Sequence, residues 1–209
     1  MPAASRRRRQ SPLDERLLDV VEEMLASRGL EGLSLRRIAR RAGVSHGAPL
    51  RHYPSLAALL SEVAARGFRM LSEAVDKAAA QLPPGAGPQA RLAAAGRGYV
   101  ELAVAKPGLF ALMFRPEVLE RANERLVDAS AEAFEQVVHY VRAAQDAGWQ
   151  PARDTRLLAG IVWSAVHGLA TLWADGAFQG ATRAPDTSLE EVLEINQALI
   201  FGDQPGGTR

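Results

Sequence analysis

Apolar residues recur three and four positions apart along nearly the whole chain, the spacing of helices that bury one stripe, and no segment alternates as a half-buried strand would. Leu13, Leu17, Val20, Val21, Met24 and Leu25 mark a first helix that Ser11 caps, Pro12 opens and Gly29 ends. Leu35, Ile38, Ala39 and Ala42 mark a short second helix behind Ser34, broken at Gly43, and Ser45 to Tyr53 reads as a third. Ser55 then caps a long helix through Leu59, Leu60, Val63, Met70, Leu71 and Val75, which stops before the linker Pro83-Pro84-Gly85-Ala86-Gly87-Pro88. Further helices are expected over about 89–105, 107–114, 117–147, 154–175 and 188–202, with breaks at Lys106-Pro107-Gly108, Arg115-Pro116, Gly148 to Pro151 and Gly176 to Pro185. The last opens on a capping box, Ser188 with Glu191, and carries a stripe of Leu189, Val192, Leu193, Ile195, Leu199 and Ile200 that needs a partner. The pattern predicts an all-α protein: an arm over 1–10, a three-helix head over 11–71, a helical bundle body over 72–203 and a short tail over 204–209.

The third short helix contains Pro49, which removes a backbone donor and clashes one turn back. With Ser45 as N-cap, Pro49 is the fourth helical residue, so one intrahelical bond is lost and the helix is expected to survive. Val44 would plug the angle between this helix and the preceding one, giving the steep crossing of a helix-turn-helix. Its outward residues would then be His46, Ala48, Arg51 and His52, with Gly47 bare enough for a close backbone approach to a base edge or phosphate.

Charge supports that reading. The net charge of +1 is the sum of two unequal halves: residues 1–53 hold 11 Arg and 6 acidic residues, net +5, whereas residues 54–209 hold 14 Lys and Arg against 18 acidic residues, net −4. A polyanion would be drawn to the helix-turn-helix end and weakly repelled elsewhere. Arg6 to Arg9 fit either an arm reaching into a minor groove or a solvated tail. With no cysteine there is neither a disulfide nor a thiolate metal site, which suits the cytoplasm, and the run Leu157 to Ala174 is interrupted by Ser164, His167 and glycines, so no membrane span is expected.

Ile38-Ala39, Ala42-Gly43-Val44-Ser45, Gly47, His52-Tyr53 and Leu59-Leu60 resemble the DNA-binding segment of the TetR family of bacterial transcription regulators. Leu50 stands where that family usually has a phosphate-contacting Tyr, and Leu56 where a Lys is usual. Lys106 to Phe114 and Trp163 to Leu169 resemble the family's WHG-type C-terminal domain, so that the likeness covers about residues 12–175. The resemblance implies a homodimer that binds palindromic double-stranded DNA and responds to a small-molecule effector, most often as a repressor, with an activator of the same family as the alternative. It implies DNA contacts from Ser34, Arg36, Ser45, His46, Gly47, Ala48, Arg51, His52 and Tyr53.

In the body, Trp163 and His167 lie at i and i+4 on one helix face, where an aromatic plate and a polar ring could hold a planar ligand or could equally be core. With Tyr99, Phe110 and Phe114 they form the expected pocket for an apolar or aromatic effector; Met113 and Phe134 stand near in the same segments. An enzyme is the rival class, but no nucleophile elbow, phosphate loop, His-Glu-x-x-His or dinucleotide fingerprint is present, and two of the four histidines stand in the head. No cofactor, metal or catalytic residue is therefore expected. A third reading is an architectural DNA-binding protein whose body is filled and takes no ligand.

Overall fold

The computed structural model describes residues 11–202; the arm Arg6 to Arg9 and the tail after 203 lie outside the described residues. Helix α1 (Pro12–Arg28) starts at Ser11, whose hydroxyl accepts the Asp14 amide while the Asp14 carboxylate accepts the Ser11 amide, a reciprocal capping box. Helix α2 (Leu35–Arg41) is capped by Ser34, and Gly43, at φ +67°, takes the left-handed turn that ends it. Helix α3 (Leu56–Ala80) follows N-cap Ser55 and runs unbroken from head into body, so the expected boundary at residue 71 falls inside one continuous helix.

The body comprises α4 (Pro88–Ala105), α5 (Pro107–Met113), α6 (Glu124–Asp146), α7 (Thr155–Ala174), the short α8 (Ala177–Thr182) and α9 (Leu189–Phe201). Helix α3 packs against α4 and α6, α7 lies on α4 and α6, and α9 covers one end of α4 and α7. One continuous core joins head to body, from Leu17, Val21 and Ile38 through Leu59 and Val63 to Val100 and Leu112. A smaller cluster of Leu92, Val138, Val141, Trp149 and Val162 fills the far end. By length and composition α7 could cross a membrane, and its apolar character is divided here between a face packed into the body and an exposed face.

Two expectations are corrected. The sixth helix begins at Glu124 rather than 117, because the chain after Pro116 turns, and the Asn123 side chain caps the helix by accepting the Leu126 amide at 2.9 Å. Buried Ser61 of α3 pins that turn, its hydroxyl accepting the Glu120 amide at 2.8 Å and donating to the Ala57 carbonyl at 2.8 Å. The segment Gly176 to Pro185, read as a connection, holds α8, bounded by left-handed Gly176 and Arg183 and anchored by Phe178 against Trp173.

The head is fastened to the body along α1. Arg66 of α3 reaches Asp19 at 2.7 Å and Glu22 at 3.2 Å, and Lys106, at the α4–α5 junction, reaches the second Glu22 oxygen at 3.3 Å. Beside these pairs the α5 backbone at Gly108 lies against the Leu25 carbonyl of α1, so close that a Cβ would sit 2.4 Å from that oxygen.

Candidate functional site

In the head, the segment expected as a third α-helix is instead a turn followed by a 3-10 helix over Pro49–Arg51. The Ala48 amide donates to Ser45 O at 2.9 Å, Arg51 to Ala48 O at 3.2 Å and His52 to Pro49 O at 3.0 Å, all at i to i+3. Proline explains the change: with no N–H to offer Ser45 O and a ring that crowds it, the backbone tightens to three-residue spacing, and Pro49 becomes the first residue of the 3-10 helix rather than the fourth of an α-helix.

The expected contact residues divide into two groups. Arg36, Ser45, His46, Gly47 and Arg51 are exposed, Ala48 is half-buried, and Ser34 is half-buried with its hydroxyl accepting the Arg37 amide. Among the described residues neither Arg36 nor Arg51 has an ion-pair partner, whereas Arg41 is paired with Glu23 and Arg37 donates to the Gly32 carbonyl. A Cβ at Gly47 would meet nothing within 4 Å, so the protein's own packing does not demand glycine there. Leu50 is exposed beside these residues, while Leu56 is partly buried against the core.

His52, expected among the outward residues, turns inward, and Tyr53 is buried beside it. Tyr53 is only 7% exposed, and His52 Nδ1 lies 2.7 Å from the buried Asp14 carboxylate. Asp14 thereby ties the first turn of α1 to the end of the recognition turn. Burial pushes its carboxyl upward, but hydrogen bonds from the Ser11 amide and hydroxyl and from His52 outweigh this and hold it below the usual carboxylate range. A depressed carboxylate contributes stability that is present above its unfolded pKa and lost as pH falls through the folded value. Asp14→Asn should therefore destabilise the protein by about 1–3 kcal/mol at pH 7. The gap from wild type should shrink below about pH 4, as urea denaturation at several pH values will report.

In the body, a cavity of about 280 Å³ lies between parts of α3 and α6. Phe68, Leu71 and Val75 of α3 form one wall, Ala133, Phe134, Gln136 and Val137 of α6 the other, and Tyr99, Phe114 and Trp163 the floor. All five expected pocket residues come together. Tyr99, Phe114 and Trp163 line the cavity, while Phe110 and His167 stand behind them, their rings 5.1 Å and 4.4 Å from Phe114. The α3 and α6 walls, Phe134 apart, were not legible beforehand, because an apolar stripe that lines a cavity has the same spacing as one that fills a core.

A polar relay holds this floor. Trp163 Nε1, which can only donate, gives its hydrogen to the Tyr99 hydroxyl at 3.2 Å, and that hydroxyl lies 2.8 Å from His167 Nδ1. Burial pushes the Tyr99 phenol well above its usual value and the His167 imidazole below its own. Tyr99 thus keeps its proton beside His167, and its hydroxyl joins the indole of Trp163 to the imidazole of His167.

A helix-turn-helix head that presents Arg36 and Arg51 at its surface, unpaired among the described residues, and is joined by one continuous helix to a hollow helical body defines a one-component DNA-binding regulator. Residues 17–63 match the family model "Bacterial regulatory proteins, tetR family", and residues 92–195 match "Tetracyclin repressor-like, C-terminal domain", which takes in both body motifs. The chain belongs to the TetR family and is a transcription regulator. It is 27% identical over 198 residues to the HTH-type transcriptional repressor KstR of Mycobacterium tuberculosis, covering 91% of this chain and 81% of that protein. A protein of unknown function from Rhodococcus sp. RHA1 superposes with a TM-score of 0.78 at 31% identity, over 94% of this chain and 97% of that one. FadR of Bacillus subtilis, solved in complex with stearoyl-CoA, has the same fold at a TM-score of 0.63 and 16% identity, over 91% of this chain and 99% of that one.

Proposed function

We propose that this regulator is a cytoplasmic homodimeric repressor that binds a palindromic operator and leaves it when a small apolar or aromatic molecule fills the cavity between α3 and α6. The observation that carries the switch is the continuity of α3. Its first turn begins three residues after Tyr53 of the recognition turn, and three turns further on it forms one wall of the cavity. A ligand shifts the DNA equilibrium only by preferring one conformation, and one that parts α3 from α6 acts directly on the helix that sets the head. The aromatic floor is coupled to the head a second way, since α5 carries Phe110 and abuts α1 through Gly108. Repression rather than activation is supported by the likeness to KstR, a repressor.

DNA is read in the major groove of each half-site by Ser45, His46, Gly47, Ala48 and Arg51 of the exposed turn, with Ser34 and Arg36 at the start of α2. His52 and Tyr53 hold that turn in place through Asp14 rather than touching the duplex. Dimerisation uses the outward faces of α7 and α9. In the terminal stripe, Val192 and Leu193 are buried within the protomer, whereas Ile195 and Leu199 are exposed, as are Leu157, Ile161 and Leu172 of α7.

Fluorescence anisotropy with the protein's own promoter region tests the proposal. Arg51→Ala should weaken binding about tenfold or more, and Gly47→Glu, which places an anion against phosphates, about a hundredfold. Leu56→Lys, half-buried as Leu56 is, should leave the salt slope unchanged, whereas Leu50→Lys should steepen it by about 0.9 per subunit. Wild-type affinity in both Arg51→Ala and Gly47→Glu would place the DNA surface elsewhere.

A further inference from the structure

Resting on the reading of the cavity as the effector site, we infer that the effector is an uncharged, largely apolar molecule carrying a single hydroxyl, and that Gln136 selects it by accepting that hydroxyl's hydrogen. Among the described residues that line the cavity none is charged, so a carboxylate or ammonium entering it would lose its hydration without a counterion. The donors of the lining are mostly engaged already: Ser130 donates to Val127 O at 3.0 Å, Trp163 to the Tyr99 hydroxyl, that hydroxyl is paired with His167, and one of the two Gln136 amide hydrogens goes to Ser72 O. The walls are thus poor in donors and offer acceptors.

Gln136 is the strongest of these. Its Nε2 donates across the cavity edge to the Ser72 carbonyl of α3 at 3.0 Å. That bond fixes which end of the amide is which, because the flipped rotamer would set two carbonyl oxygens against each other. Oε1 is left as a carbonyl acceptor with no hydrogen-bond partner among the described residues, and it is not sealed from solvent space, being absent from the buried unpartnered atoms of the fold. An alcohol or phenol supplies the donor that Oε1 lacks, whereas an ether of the same size does not, and a carboxylate has no hydrogen for it and no counterion in the lining. The position has a regulatory consequence as well. Gln136 is a cross-tie between α6 and α3, so a ligand held by its carbonyl loads the joint between the two helices that the switch must part.

Isothermal titration calorimetry on the full-length protein at pH 7.5 with 1-octanol, methyl heptyl ether and octanoate decides the matter, with release of the promoter complex as a second readout. Octanol should bind about five- to tenfold more tightly than the ether, the worth of one hydrogen bond, and octanoate at least a hundredfold more weakly than octanol. In Gln136→Leu the octanol and ether affinities should become equal, while the ether affinity stays within about twofold of wild type. Gln136→Met, of the same length, repeats the test if the leucine variant fails to fold, and the wild-type ratios stand without either. Octanoate binding as tightly as octanol would overturn the inference, as would an octanol preference that survives the loss of Gln136. Failure of all three probes, ether included, to bind or to release DNA would overturn the reading of the cavity as an effector site itself.

Discussion

Aspartates placed together at Ile161 and Leu199 should leave the protein monomeric at micromolar concentration and lower its affinity for a palindromic operator about a hundredfold or more. These side chains are 59% and 81% exposed, and Leu157 on the same face of α7 is 67% exposed. Leu157, Ile161, Ser164, Gly168 and Leu172 follow the spacing of one helical face, and Ile195 and Leu199 are exposed on α9, which packs against α7, so the exposed large apolar residues concentrate on these two helices. Monomers seldom leave such a patch to water, and a two-fold axis would cover it with its own copy. A monomer binds one half-site and forfeits the effective concentration that the second head supplies, which is why the loss in operator affinity far exceeds that of any single contact. Sedimentation equilibrium and anisotropy read the two effects separately. Leu193→Ala serves as the contrast: that leucine is 2% exposed within the protomer, so its truncation should cost about 2–5 kcal/mol of stability, a large-to-small core change and not an interface change. A double aspartate variant that still sediments as a dimer would move the interface away from α7 and α9.

How far the sequence could be read follows from the range of the interactions that decide each feature. The capping serines, the first-turn prolines and Gly43 act within one turn of chain, and α1, α2 and the start of α3 stand where those residues predict. Trp163 and His167 share a helix face for the same local reason. The 3-10 geometry at Pro49 turned on one missing donor, where α and 3-10 paths differ by a single bond and the pattern of apolar residues is identical. The inward turn of His52 and Tyr53 depends on Asp14, a residue 38 positions away from His52, whose carboxylate reads in sequence as an ordinary first-turn acid. The Tyr99 relay likewise spans 68 and 64 residues to its two partners, and periodicity carries no information on such pairings. The cavity is the extreme case, being a gap left along part of two apolar stripes that otherwise pack together.

Gly98→Ala and Gly108→Ala should each destabilise the protein by about 2 kcal/mol, although alanine is the better helix former and would stabilise an open helical position by nearly 1 kcal/mol. A Cβ at Gly98 of α4 would lie 2.5 Å from the Ala74 carbonyl oxygen and 2.9 Å from the Ala78 methyl of α3. One at Gly108 would lie 2.4 Å from the Leu25 oxygen and 2.8 Å from its carbonyl carbon. In both cases the obstacle is backbone, so no side chain can rotate away and the two helices themselves must part. The Leu25 oxygen also accepts the Gly29 amide that closes α1 at 2.9 Å, so pushing it aside disturbs that helix end. Gly96→Ala is the control: its Cβ would meet only a Val166 methyl, at 3.4 Å, and stability should stay level or rise. Urea midpoints at constant slope measure all three. Gly108→Ala carries a further expectation, because it forces α1 away from the helix that bears Phe110: its inducer concentration for promoter release should change while Gly96→Ala, which displaces no backbone, keeps the wild-type value. A Gly108→Ala protein as stable as wild type and released by the same inducer concentration would remove the α1–α5 contact from the path between cavity and DNA, leaving α3 alone to carry it.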